Sequence, residues 1–154
     1  MNNSGKKAAQ TSISRELNHE YTGHCACHSV TLNVSLPQPI ENFSPRACDC
    51  DFCTSRHIEY ISHPDGKLYL KSSNPLQELR QGSNQACFLA CPNCQDVIAA
   101  TFKVNHMIIG SLNSQLLDER TKLKPAETVS PKQLNARDKV ERWQALWLSV
   151  NTNS

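Results

Sequence analysis

Apolar and polar residues alternate most regularly at Val30, Leu32, Val34 and Leu36, which are interleaved with Thr31, Asn33 and Ser35. A period of two turns one side of the chain inward and the other outward, so this stretch predicts a half-buried strand, ended by Pro37. The two-period pattern sets in at Tyr21, and further short strands are expected at Ile58 to Ile61, Lys67 to Lys71, Leu76 to Arg80, Ala86 to Ala90, Val97 to Val104 and Met107 to Ile109. Pro64-Asp65-Gly66, Asn74-Pro75 and Gly82-Ser83-Asn84 supply turn chemistry between them. Only the end of the chain reads as helix. Capping signals at Ser130 to Gln133 and Asn135 to Asp138 precede Val140, Trp143 and Trp147 at helical spacing. The pattern predicts a mainly β chain with a short C-terminal helix docked on its sheets.

Before about Glu20 the sequence is rich in Asn, Ser, Gln and Lys and has no periodicity. Such a segment has too little apolar surface to offset ordering entropy, so residues 1–19 read as a flexible polar tail and residues 20–150 as one domain. A length of 154 residues fits that single domain. The 16 Lys and Arg against 14 Asp and Glu set up no field that would seek a polyanion, which argues against a bulk nucleic-acid binder. No apolar run has the length of a signal peptide or membrane span, so no membrane partner is expected and the chain is placed in the cytoplasm. The oligomeric state is not legible. In a reducing compartment, eight cysteines favour metal or redox chemistry over a disulfide framework.

Seven of the eight cysteines fall into three clusters: Cys25 and Cys27 in CAC, Cys48, Cys50 and Cys53 in CDCDFC, and Cys91 and Cys94 in CPNC. Cysteines one or two residues apart are awkward disulfide partners, whereas thiolates converging from a tight turn suit the tetrahedral, soft-donor preference of zinc. CPNC needs two further ligands to close a structural site, and CAC supplies that number. The middle cluster differs. Three sulfurs from one short loop leave a fourth position for substrate, a catalytic pattern, unless Cys87, His57 or an aspartate closes it into a second structural site. Cys87, in a strand-like run, reads as a buried small hydrophobe.

These clusters, in this order and within the context YTGHCAC, an alternating strand, CxCxxC, CPNC, GSLNSQLLD and a helix carrying Trp143, resemble the GFA family of glutathione-dependent formaldehyde-activating enzymes, which also includes centromere protein V. The match runs from about Tyr21 to Trp147. The resemblance implies a β-tent fold of antiparallel sheets clipped by zinc. It assigns Cys25, Cys27, Cys91 and Cys94 to a structural ion and Cys48, Cys50 and Cys53 to a second, catalytic one. It also implies a carbon-sulfur lyase that joins a small thiol, glutathione in the family, to formaldehyde. The chain departs from the family at several positions. Where the family often has His and Arg around the middle cysteines this chain has Asp49 and Thr54, and where it has Gly after the outer pairs this chain has His28 and Gln95. The middle loop therefore lacks positive charge that would hold a glutathione carboxylate.

Arg56 and His57 follow the middle cluster and read either as groups that orient an anion or relay a proton, or as a solvated loop pair. Asp49 and Asp51 are explained by turn formation. His24, His28, His63 and His106 sit in or beside strand-like segments and are not expected as ligands. Arg137, Lys139 and Arg142 read as the solvated face of the closing helix, and Trp143 and Trp147 as core packing. Two functions compete: a zinc-dependent enzyme acting on a small thiol and an aldehyde, and a non-catalytic zinc-stabilised β-domain that binds a partner. Redox sensing by the middle thiolates is a weaker third.

Overall fold

Strand β2 (Val30–Leu36) keeps the alternation seen in the sequence, with Val30, Leu32, Val34 and Leu36 buried and the residues between them more exposed. The computed structural model describes residues 19–80, 86–130 and 134–153. The polar tail over residues 1–18, the Gly82-Ser83-Asn84 turn and the 131–133 part of the capping signal lie outside the described residues.

On one side β2 pairs antiparallel with β1 (His19–His24) and on the other with β5 (Lys67–Ser72). Strand β11 (Leu148–Thr152) then lies parallel to β5 and antiparallel to β9 (Met107–Asn113). The sheet forks at β9. Residues Ile108, Ile109 and Gly110 face β11, Leu112 and Asn113 face β4 (Glu59–Ile61), and β8 (Val97–Val104) pairs with β9 as well. From β8 one branch continues antiparallel to β7 (Cys87–Ala90) and β6 (Gln77–Arg80). From β4 the other runs to β3 (Arg46–Cys48), which pairs parallel with β10 (Glu127–Val129). The chain is therefore mainly β, as expected. Its sheet is mixed, because two of its short strands arrive after long connections and enter in parallel.

Helix α2 (Ala136–Leu146) begins at Asn135, whose side chain accepts a hydrogen bond from the Asp138 N–H at 2.8 Å. It is not the last element, since Trp147 ends it and β11 follows in the middle of the sheet. A second, shorter helix, α1 (Asp51–Arg56), was not expected from the pattern. No helix among the described residues is long and apolar enough to cross a membrane.

Apolar side chains gather into two cores. The first holds β2 residues such as Val30 and Leu32 with Leu68, Leu112 and Leu148, and takes in Cys25 and Cys91. The second holds Phe52, Tyr60, Phe88, Trp143 and Trp147, and takes in Cys53. Strand β8 is buried without a break from Val97 to Thr101, with Ile98 and Ala99 in the first core and Val97 and Ala100 in the second. This is why its sequence is a continuous apolar run rather than an alternation.

Gly23, two residues before Cys25, is required by close approach. A Cβ there would overlap the backbone carbonyl of Leu116, where Gly23 and Leu117 form an isolated bridge. The obstacle is backbone and cannot swing aside, so Gly23→Ala is expected to cost about 1–3 kcal/mol, read as a lower unfolding midpoint of the metal-loaded chain.

Candidate metal centres

Two tight turns build the first centre. The Cys25 N–H donates to the Val30 carbonyl at 3.1 Å and the His28 N–H to the Cys25 carbonyl at 3.0 Å, curling the chain between β1 and β2. Between β7 and β8 the Cys91 N–H donates to the Asp96 carbonyl and the Gln95 N–H to the Cys91 carbonyl, both at 2.9 Å. Each turn needs one left-handed residue, and these are His28 at φ 65° and Gln95 at φ 67°. They are the two positions at which the resemblance places Gly, so the backbone requirement is kept while the residue that meets it most easily is not. Asp96 joins the turns, its Oδ2 accepting from the Ala26 N–H at 2.8 Å. Sequence reasoning did not single out Asp96.

The turns bring the sulfurs of Cys25, Cys27, Cys91 and Cys94 within 4.8 Å of one another, and this group can hold a metal ion. Cys27 Sγ lies 3.6 Å from both Cys25 Sγ and Cys91 Sγ. Zinc–sulfur bonds of about 2.3 Å make a tetrahedron with edges of about 3.8 Å, so the donor set fits such an ion. Backbone N–H groups already point at the sulfurs, Val30 to Cys25 at 3.3 Å and Asn93 to Cys91 at 3.4 Å. All eight cysteines are free. Burial pushes the Cys25 thiol up to about 12, whereas the Ser29 hydroxyl and backbone draw Cys27 down to about 5. Thiols this unequal share protons unevenly until a cation replaces those protons.

The second centre is built where a strand meets a helix. Cys48 ends β3, Cys50 caps α1 with its Sγ accepting from the Cys53 N–H at 3.4 Å, and Cys53 lies in the helix. The cap at the other end is His57, left-handed at φ 54°, which closes α1 after six residues. The three sulfurs lie within 4.8 Å of one another and can also hold an ion. Hydrogen bonding with Cys53 draws Cys48 down to about 6, while the same contact, with burial, pushes Cys53 well above the usual thiol range. Tyr60 Oη lies 3.4 Å from Cys53 Sγ, and burial raises its phenol so that it stays protonated. Asp49 fastens the loop from outside. Its N–H donates to the Val129 carbonyl at 3.1 Å, and its Oδ2 accepts from the Ser130 hydroxyl. Its buried Oδ1 has no partner among the described residues.

A cavity of about 440 Å³ opens on this second centre and is lined by all three of its cysteines. Phe52, Phe88, Trp143 and Trp147 form apolar wall, and Arg46, Lys139 and Arg142 bring positive charge. Lys139 and Arg142 were expected on a solvated face; instead both are half-buried and face the cavity, because they share the face of α2 that carries Trp143 and Leu146 and borders it. Arg137 does stay exposed, 3.4 Å from Glu141. The tryptophans are packed as expected, stacked at 4.8 Å, and also present surface to the cavity. Arg56 lies over the Phe52 ring at 3.9 Å and, like His57, is exposed and does not line the cavity. Cys87 is half-buried in β7 against the first core and belongs to neither sulfur group. Nor does any of His24, His28, His63 and His106. Arg46 had no sequence signal, since it sits in a three-residue strand, and Tyr60, inside the expected strand Ile58 to Ile61, was not singled out because a strand pattern does not mark the sulfur it meets.

No family model matches the chain, and no curated protein matches it. A crystal structure of a Rhodobacter sphaeroides protein is similar to it at 22% identity and a TM-score of 0.49, covering 76% of this chain and 93% of that one.

Proposed function

We propose that this protein is a zinc-dependent thiol-aldehyde adduct enzyme, a carbon-sulfur lyase of the glutathione-dependent formaldehyde-activating type, with Cys48, Cys50 and Cys53 as its catalytic metal ligands. The observation that carries this reading is which sulfur group meets the cavity. The four-sulfur group does not line it, and the three-sulfur group does. Four thiolates close a coordination shell, whereas three leave a position for a reactant. The order of the cysteine clusters, which resembles the GFA family, points the same way.

Zinc held at the three-sulfur site would supply Lewis acidity, favouring the thiolate form of a small thiol and polarising an aldehyde carbonyl. The chain's own groups do the remaining work. The substrate sulfur bonds to the carbonyl carbon, and the proton that the thiol gives up ends on the carbonyl oxygen, giving a hydroxyalkyl thioether; reversal breaks the carbon-sulfur bond. Tyr60, kept protonated by burial, holds a hydrogen-bond donor beside the sulfurs, where the new hydroxyl oxygen forms. Phe88 and Trp143 keep water from the reacting centre. The positive charge missing from the middle loop is replaced by Arg46 on β3 and Arg142 on α2.

The test is aldehyde consumption by metal-loaded protein, measured with a panel of small thiols that includes glutathione, against the spontaneous rate of thiol addition. Thiol-dependent turnover above that rate is expected. If no thiol gives it, the zinc-stabilised partner-binding domain becomes the better description.

A further inference from the structure

Resting on the reading of this cavity as the substrate site, we propose that its thiol substrate is an apolar monocarboxylate, with an aromatic-sized body against the tryptophan wall and one carboxylate on the Arg46, Arg142 and Lys139 side.

Aromatic rings make up much of the wall. Trp143 stacks on Trp147 with ring planes 15° apart and is backed by Phe102 at 5.3 Å, outside the lining, while Phe52 tilts on Phe88 at 4.6 Å. A polar peptide laid on such a surface would leave amide groups without partners, which disfavours it. An apolar body gains there instead.

Positive charge gathers on one side of the cavity and none of it is held in a close ion pair among the described residues. Among the described residues the ion pairs join His24 to Asp118, Lys122 to Glu119 and Arg137 to Glu141, and none involves Arg46, Lys139 or Arg142. Arg46 is half-buried and its guanidinium donates to the Ser62 hydroxyl, a neutral partner. One carboxylate, that of Asp51, also lines the cavity. Three thiolates around a divalent ion would carry one further negative charge. Glu127 faces Arg46 across the β3–β10 pairing and Arg142 opposes it as a like charge, so the three cations make a side that would receive a ligand carboxylate. The amide groups of glutathione would lie against the aromatic wall instead.

Both tryptophans of the chain line this cavity, so intrinsic fluorescence reports on it directly. The full, metal-loaded chain is titrated with 3-phenylpropanoate, 3-phenylpropanamide, propanoate and S-methylglutathione, none of which can form a thiol adduct. The expected result is saturable change with 3-phenylpropanoate at about tenfold or more lower concentration than with the other three. Arg142→Gln should weaken that binding by about tenfold, Lys139→Gln should weaken it in the same direction, and Arg137→Gln should leave it unchanged. Equal binding of the acid and its amide, or tighter binding of S-methylglutathione, overturns the proposal. A chain that binds 3-phenylpropanoate but turns over no thiol sinks the enzyme reading alone. A chain that turns over glutathione yet ignores 3-phenylpropanoate sinks the substrate class alone.

Discussion

Removing metal from the first centre is expected to unfold the protein, and Cys91→Ser is expected to do the same. Cys25 and Cys91 are fully buried in the first core, and their turns join the β1–β2 end of the sheet to the β7–β8 end. Between those turns the Ala26 N–H donates to Asp96, and the sulfurs that meet there cohere only around a cation. Structural zinc sites contribute an apparent 10–16 kcal/mol, roughly as large as the whole stability of an ordinary domain. Serine in place of Cys91 removes a soft donor and leaves a hydroxyl where the structure puts a fully buried sulfur. The check is near-ultraviolet circular dichroism, in which the stacked Trp143 and Trp147 give a tertiary signal. That signal should vanish on chelation and return on adding zinc.

Cys50→Ser should have the opposite profile, with turnover lost and the fold kept. Cys50 caps α1 through its side chain, and serine is among the best N-cap residues, so the replacement oxygen can accept the Cys53 N–H in place of sulfur. The helix and the second core above it are thereby spared. Metal binding is not, because two thiolates and a hydroxyl make a poor zinc site. Aldehyde consumption should fall to the spontaneous rate while the melting temperature stays within a few degrees of the parent. Loss of the fold in this variant would mean that the second ion is structural as well.

These two variants mark the boundary between what the sequence carries and what only the fold supplies. Sulfur donors are legible because their chemistry does not depend on context, and the CxC and CxxC spacings already imply turns. Strand β2 is legible because one of its faces is buried, which prints a period of two. Strands β3 and β10 are not, since three residues each hold no period and they exist by pairing with each other across about eighty positions. Strand β11 is hidden because Leu148 and Val150 follow directly on the helical stripe of Val140, Trp143 and Trp147.

The cavity is the larger omission. Its wall is assembled from β3, β4, β7, β8, β9, β10, α1 and α2, and no local pattern encodes such a meeting. Charged residues on an amphipathic helix usually face water, so Lys139 and Arg142 looked like solvated groups. They line the cavity because they share the α2 face of Trp143 and Leu146, which borders it. The left-handed residues His28 and Gln95 show the converse. Their backbone role is visible from a resemblance that places Gly at both positions, although neither residue type signals it.

Anomalous scattering at the zinc edge from crystals of the metal-loaded protein tests the arrangement most directly. Two peaks are predicted, one enclosed by the sulfurs of Cys25, Cys27, Cys91 and Cys94, the other bound by Cys48, Cys50 and Cys53 with its fourth position facing Trp143 and Arg142. A second peak with four protein ligands, or no peaks and cysteines joined as disulfides, would contradict it.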